Sequence, residues 1–530
     1  MADCRRQPDA NDHRGRKRDD LSHNQLSRKI SVAVFIYDYS TSGAIYSGGR
    51  YHALLLAYAM AHGRIDVTVV GDRRPAFVDD LESTYEAPVN FFFTPSYDAS
   101  MVPGDFDHVF IAPTGGFNPA FYACAEVVAG RSKATPVLIN YESANWFNSL
   151  APTPDHLAVW DYWRRTIVRG GIVLSSTLES DAHARHYYYS DGRPLHFAHC
   201  YPPLNSRAAA KVWADREGKD SSLLYFARPF HDHKGGADIL ELPSDLWNGR
   251  TLRVVVGGEV DKEYISRLDV RLKMHGGRLE VHSRISEYEK FRLLARSSLL
   301  LFPSRFEGFG YPPLEAALVG TTSVCYDLPV LRETLGDYGR FAPVGNITAL
   351  ADEARRALFS PIPAKALRDR AERVAGFDRI AQQISREIAS WRPIPATADA
   401  HVILWGPWTV QDMQPGRSTL PEYDAPMPSY GKVTESAEGE LEVEIVLWTR
   451  ESIAATTVYA NDIAILALLI SSSSSLQDWK RAAIQFRLQP QYVRQRLRLE
   501  CYGDDGRPVF IDDHLMVCEA GNSGGLEQTS

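Results

Sequence analysis

Two glutamates, Glu307 and Glu315, are separated by seven residues in the segment Pro303-Ser-Arg-Phe-Glu-Gly-Phe-Gly-Tyr-Pro-Pro-Leu-Glu-Ala316. Gly308 and Gly310 flank Phe309 and remove side chains just before a turn, so the backbone there can approach a ligand closely. Pro312 and Pro313 suit the first turn of a helix, where a missing N–H is tolerated. A helix start of this kind presents free amides and a partial positive charge, both suited to a phosphate. The spacing puts Glu315 in that first turn, where its carboxylate can accept hydrogen bonds from a vicinal diol such as ribose. Glu307, on the loop, would face whatever the phosphate carries.

Upstream, Arg228 and Lys234 follow the apolar stretch Ser222–Ala227 and precede Gly235-Gly236. Cleaving a sugar–diphosphate bond builds negative charge on the departing oxygen, and that charge must be neutralised in place. Arginine offers a planar fork for phosphate oxygens and lysine a point charge. With a helix tip adding its dipole, such a set needs no divalent metal. Gly48 and Gly49 are expected in a loop before the first helix, and Glu142 is a carboxylate able to accept a proton. Read without catalysis, Glu142 simply starts a helix, and both readings stand.

These residues need a scaffold. Ile30–Tyr37, a glycine-containing loop, a helix from about Tyr51 to His62 and the strand Val67–Val70 form a βαβ unit. Further buried strands are expected at Val109–Ala112, Val137–Asn140 and Ile172–Ser175. A second series follows at Leu223–Phe226, Leu252–Val256, Leu279–His282, Leu299–Phe302 and Ser323–Tyr326, with helices over Ser286–Ala295, Pro313–Val319 and Phe377–Trp391. The fold class is therefore α/β: a Rossmann-like domain over 31–205 and a second over 206–395, with a ligand cleft between them at the carboxyl ends of the strands. From 396 to 520 the pattern changes to alternating segments such as Leu441–Leu447, which reads as a β-rich, sandwich-like accessory domain. The Ser471–Ser475 tract reads as a turn there. Trp405, Trp408, Trp448 and Tyr459 could stack on sugar rings or fill the sandwich core. Residues 1–30 and 521–530 read as disordered tails.

The chain of 530 residues has Lys+Arg 58 against Asp+Glu 66, a net charge of -8, which argues against a nucleic-acid partner. Its six cysteines form no CxxC pair, so neither a zinc site nor a disulfide frame is expected. The longest apolar run, Ile463–Ile470, falls well short of the roughly 18 residues of a membrane span. A cytoplasmic protein is expected.

The segment PSRFEGFGYPPLEAALVG resembles the glutamate-pair motif of retaining GT-B glycosyltransferases, specifically glycosyltransferase family 4 (glycosyl transferases group 1). YFARPFHDHKGGADIL resembles that family's Arg…Lys-Gly loop, and YSGGRYHALLLAYAMAHGRIDVTVVGD its N-terminal glycine-rich loop and helix. PVLRETLGDYGRFAPVGNITALADEARRAL resembles the segment after the glutamate pair. The resemblance spans about residues 31–392 and leaves the C-terminal region outside. It implies a hexosyltransferase that uses a nucleoside diphosphate sugar without a cofactor or metal and retains the anomeric configuration. Arg228 and Lys234 would hold the diphosphate, Glu315 the ribose, and Glu307 with the amides of Gly308, Phe309 and Gly310 the hexose. Ser283-Arg284-Ile285 resembles the segment whose backbone meets the base, which adds Arg284 and Ile285. The chain departs from the family where many members carry a histidine facing the reacting sugar: here the sequence runs Asn140-Tyr-Glu142, so Glu142 or Asn145 takes the acceptor side. A glycan or lipid-linked acceptor in surface-polysaccharide assembly would follow, with room for peripheral contact at the inner membrane face. The C-terminal domain would serve self-association or glycan contact. Two alternatives remain: a GT-B sugar-nucleotide epimerase, and a non-catalytic glycan-binding or scaffold protein.

Overall fold

The computed structural model describes residues 29–37, 48–75, 78–112, 118–141, 162–163, 166–167, 169–187, 196–227, 232–257, 260–391, 401–404, 430–435, 440–449, 451–476, 479–493 and 495–519. Apart from Lys29 and Ile30, both expected tails lie outside the described residues.

The first sheet is parallel and seven-stranded, in the order β3-β2-β1-β4-β5-β6-β7. Its strands are β1 (Ser31–Phe35), β2 (Asp66–Gly71), β3 (Val89–Phe93), β4 (His108–Ile111), β5 (Thr135–Asn140), β6 (Ile172–Ser175) and β7 (His196–His199). The edge strands β3 and β7 were not expected. Both are mostly half-buried, so neither shows the continuous apolar run that marks a central parallel strand. The second sheet, also parallel, has six strands in the order β10-β9-β8-β11-β12-β13. These are β8 (Leu223–Ala227), β9 (Thr251–Val256), β10 (Arg278–Ser283), β11 (Leu299–Phe302), β12 (Thr322–Tyr326) and β13 (Arg340–Ala342). In each sheet the strand order reverses once, between β1 and β4 and between β8 and β11. Such a reversal opens a crevice at the carboxyl ends of the two flanking strands.

The helix Phe377–Ser390 follows the second sheet in sequence, yet its apolar face completes the first core. Phe377, Ile380, Ile384 and Ile388 are buried with Leu54, Tyr58 and Tyr85, and Phe377 stacks on Tyr85 at 3.9 Å. Asn205 ties the same seam: it accepts from the Tyr85 hydroxyl at 2.8 Å and donates to the Tyr51 hydroxyl at 2.9 Å. The two halves are thus joined where the chain crosses at about residue 205 and again at about 376.

The C-terminal strands are β14 (His401–Leu404), β15 (Tyr430–Glu435), β16 (Leu441–Thr449), β17 (Ala455–Ala460), β18 (Ile463–Ile465), β19 (Ala467–Leu476), β20 (Trp479–Leu488), β21 (Arg496–Tyr502) and β22 (Pro508–Glu519). They form two antiparallel sheets, β14-β22-β21-β17-β18 and β15-β16-β20-β19. Leu441, Val443, Ile445 and Leu447 of one sheet share a core with Val458, Leu497, Leu499 and Leu515 of the other, so this is a sandwich. The serine tract is not a turn. Ser471 pairs with Ala482 and Ser475 with Lys480 inside β19, across an irregularity in register. A bulged edge strand tolerates small polar residues that would weaken a central one. Trp405, Trp408 and the Trp448 side chain lie outside the described residues. Tyr459 is partly buried, with the Arg498 guanidinium over one face of its ring at 4.4 Å from the centroid.

Candidate functional site

Lys234 and Glu307 follow β8 and β11, the two strands that flank the reversal in the second sheet. The loops carrying them are fastened together. The Arg305 amide donates to the His233 carbonyl at 2.7 Å, and the Ser304 hydroxyl reaches the same oxygen at 3.3 Å. Gly235 allows this contact: its φ is +70°, and a Cβ there would lie 2.1 Å from the Pro303 carbonyl. Behind the loops, the buried Asp238 takes the Arg305 guanidinium at 2.7 and 2.9 Å and the Tyr326 hydroxyl at 2.7 Å. This rigid backing brings the Lys234 ammonium to 2.6 Å from Glu307. The pair sits in the crevice, with both side chains largely but not wholly covered.

The helix Tyr311–Leu318 begins after Gly310, whose φ of +82° turns the chain into it. Two details differ from expectation. Glu315 is the fifth helical residue and so lies beyond the first turn, which contains no acidic residue. The helix tip is also poor in donors, because Pro312 and Pro313 have no N–H. The amides that remain for an anion are those of Gly308, Phe309, Gly310 and Tyr311.

Glu315 is buried and shares a lysine. The Lys290 ammonium lies 2.8 Å from Glu315 Oε1 and 2.6 Å from Glu287 Oε1. Burial alone would lower the lysine pKa, but the two carboxylates more than reverse this and hold it charged. Two carboxylates then face one ammonium in a dry environment. Burial, opposed by Lys290 and reinforced by Glu287, raises the Glu315 pKa above the ordinary carboxylate range. Tyr311 lies beside both glutamates, and its hydroxyl has no hydrogen-bond partner.

Across the seam, His52 of the helix Gly48–His62 lies 4.7 Å from the Tyr141 ring and 6.0 Å from the Tyr311 ring. Among the described residues neither imidazole nitrogen has a partner, nor does the Tyr141 hydroxyl. Burial lowers the His52 pKa to about 3, so the ring is neutral at physiological pH. The cleft face therefore joins the end of β5 and the 48–62 helix to the start of the 311–318 helix.

The remaining expected residues are distributed as follows. Phe309 is buried and packs edge-on against Tyr311 at 5.0 Å. Gly48 and Gly49 are the first two helical residues, not loop residues, so they open the helix that carries His52. Arg284, exposed at φ +54°, and the half-buried Ile285 lie in the turn between β10 and the helix Glu287–Arg296. That turn ends at Ser286, which caps the helix bearing Glu287 and Lys290. Arg228, Glu142 and Asn145 lie outside the described residues. The sequence reading passed over Lys290, Glu287 and His52. The first two look like an ordinary i,i+3 surface pair. His52 stands alone in an apolar helix, where the sequence gives no sign that its nitrogens lack partners.

Residues 210–374 match the family model of glycosyl transferases group 1. Glycogen synthases of Desulforudis audaxviator and Bordetella petrii are each 28% identical, over 173 and 164 residues, or 33% and 30% of this chain. The chain matches only about a third of the length of these curated relatives, 34% and 30%. The crystal structure of Anabaena HepE in complex with UDP and glucose superposes with a TM-score of 0.51 at 15% identity, covering 68% of this chain and 100% of that one. The sucrose-phosphate synthase of Thermosynechococcus elongatus superposes with a TM-score of 0.52 at 14% identity, covering 68% and 98%. The two parallel sheets thus form the GT-B fold, and the stretch that matches the group 1 model, residues 210–374, lies within its second half. Among the described residues no helix is long and apolar enough to cross a membrane.

Proposed function

We propose that this chain is a retaining glycosyltransferase that moves a hexose from a nucleoside diphosphate sugar to a hydroxyl of a glycan or lipid-linked acceptor. The observation that carries the reading is the contact of Lys234 with Glu307 at 2.6 Å, at the strand-order reversal within the stretch that matches the group 1 model. The UDP named with the Anabaena HepE structure supports a nucleotide-sugar donor of the same class. In the cleft Glu307 faces the Lys234 ammonium. A diphosphate arriving there replaces that carboxylate as the partner of Lys234, which frees Glu307 to accept hydrogen bonds from the hexose hydroxyls. Lys234, Arg228 and the amides of residues 308–311 neutralise the leaving diphosphate, so the reaction needs no divalent metal. The departing phosphate oxygen takes the acceptor proton on the face it has just left, which retains the configuration. Glu142 then assists on the acceptor side, and the work is done in the cytoplasm for surface-glycan assembly.

The test is a thermal-shift panel of nucleoside diphosphate sugars, followed by product analysis with the donor that binds. Specific stabilisation by one donor, transfer that survives a metal chelator, and an α-configured product from an α-configured donor are expected. An epimerised donor formed without acceptor, or no stabilisation by any donor, overturns the reading.

A further inference from the structure

Among the described residues, Glu287 carries a buried carboxylate oxygen without a partner. The Glu287 side chain is only 8% exposed, and its Oε1 is held by Lys290 at 2.6 Å. Its Oε2 is buried with no hydrogen-bond donor. An ionised oxygen left this way is expensive, on the order of 1–3 kcal/mol or more, unless a ligand supplies a donor. Three further groups narrow that ligand. Lys290 fixes the second carboxylate, Glu315, alongside Glu287, because one ammonium bonds both at 2.6 and 2.8 Å. The neighbouring Tyr311 hydroxyl is also buried and unpartnered. His52, buried and with neither nitrogen partnered among the described residues, comes from the other half of the molecule and lies 6.0 Å from the Tyr311 ring.

With Lys290 already counted, the two carboxylates carry one uncompensated negative charge, so a further anion is excluded. The fitting partner is a neutral group that donates two adjacent hydrogen bonds, and a vicinal diol does this. We infer that Glu287 is a specificity-determining residue which, paired with Glu315 through Lys290, takes the second hydroxyl of the ribose diol and makes the site select ribonucleotide over deoxyribonucleotide donors. This rests on the proposed nucleotide-sugar function and adds a residue to it. Each carboxylate accepts one hydroxyl, Lys290 sets their separation, and Tyr311 gives or accepts a hydrogen bond beside them.

The experiment measures dissociation constants of the full chain by calorimetry for UDP, ADP and GDP, each with its 2′-deoxy and 3′-deoxy form. For the base that binds, removing either hydroxyl weakens the wild type about tenfold or more, the loss expected when one hydrogen bond to a charged acceptor is removed. In Glu287→Gln, ribonucleotide binding falls by a similar factor and one of the two deoxy penalties disappears. Glu287→Asp, which keeps the charge but withdraws the oxygen by one methylene, shows the same loss and guards against a folding artefact in the amide variant. Lys234→Ala weakens every form alike and leaves both penalties in place. Both penalties persisting at wild-type size in Glu287→Gln and Glu287→Asp overturns the inference while the donor reading stands. No binding of any ribonucleoside diphosphate by the wild type overturns the donor reading itself, and the inference with it.

Discussion

Glu307 and Glu315 belong to one short segment and each meets a lysine at under 3 Å, yet the two ion pairs are built for different work. Glu307 and Lys234 come from two loops at a crevice and form a simple pair, one charge against one. Both side chains keep some exposure, so water reaches the contact, and under the proposed function a ligand phosphate replaces the carboxylate. Glu315 and Lys290 come from two packed helices, with Glu287 as a third member and Tyr311 beside both carboxylates. There the lysine is outnumbered and no solvent screens the surplus charge. A lysine–glutamate contact of a given length can therefore be a placeholder for substrate or a fixed support for a binding group, depending on burial and charge count.

Removing each lysine separates these roles. Lys290→Met leaves two buried carboxylates facing each other, which should lower stability by about 3–5 kcal/mol at pH 8. The loss should shrink as pH falls toward 5, because one carboxyl then takes up a proton. Thermal unfolding across that range checks it, and a variant as stable as wild type at pH 8 would show that the cluster carries no strain. Lys234→Ala acts mainly on the reaction. Loss of one charge neutralising the leaving group should reduce kcat/KM by roughly 100- to 1000-fold, with a stability loss of only about 1–2 kcal/mol, between the exposed and buried limits. If its unfolding temperature falls as far as that of Lys290→Met, the distinction between the two pairs fails.

Lys234 and Glu307 stand out in the sequence as candidates while Lys290 and Glu287 do not, for a physical reason. Lys234, Glu307 and the glycines around them stand at strand ends and turns, where residue type reports backbone geometry and ligand approach directly. The central strands β1, β8 and β11 were legible for a similar reason, since a strand buried on both faces must be apolar throughout. Lys290 and Glu287 gain their meaning only when their helix is laid against the helix of Glu315, a contact that no local pattern encodes. The Phe377–Ser390 helix was visible as a helix, while its return to the first core depends on how the halves meet. The serine tract in β19 misled because a polar run usually marks a turn, and only its pairing with β20 makes it a strand.

A third carboxylate site, this one without a lysine, sharpens the contrast. Glu333, on the helix Pro329–Leu335 of the second half, accepts from the amides of Leu178 and Glu179 in the first half at 2.8 and 3.2 Å. The Glu179 carboxylate in turn takes the Val330 amide, so each helix start is met by a glutamate from the other half. The other charged or titratable groups near Glu333 are Tyr201, His199 and Arg370, whose guanidinium bonds the Glu333 carbonyl at 2.7 Å. Burial, with Glu333 adding repulsion, raises the Glu179 pKa to about 7. The folded protein therefore holds a proton that the unfolded chain releases near pH 4 to 5. Stability from this group is complete below that range and is lost as pH climbs through 7. Glu179→Gln keeps the acceptor for the Val330 amide and never ionises. It should flatten the pH dependence between 5 and 8 and be more stable than wild type at pH 8 by about 1–2 kcal/mol, after allowing for partial solvent screening. A wild-type slope that persists in Glu179→Gln would assign the titration to another group and leave the lysine-free pair no weaker than the two lysine-bearing sites.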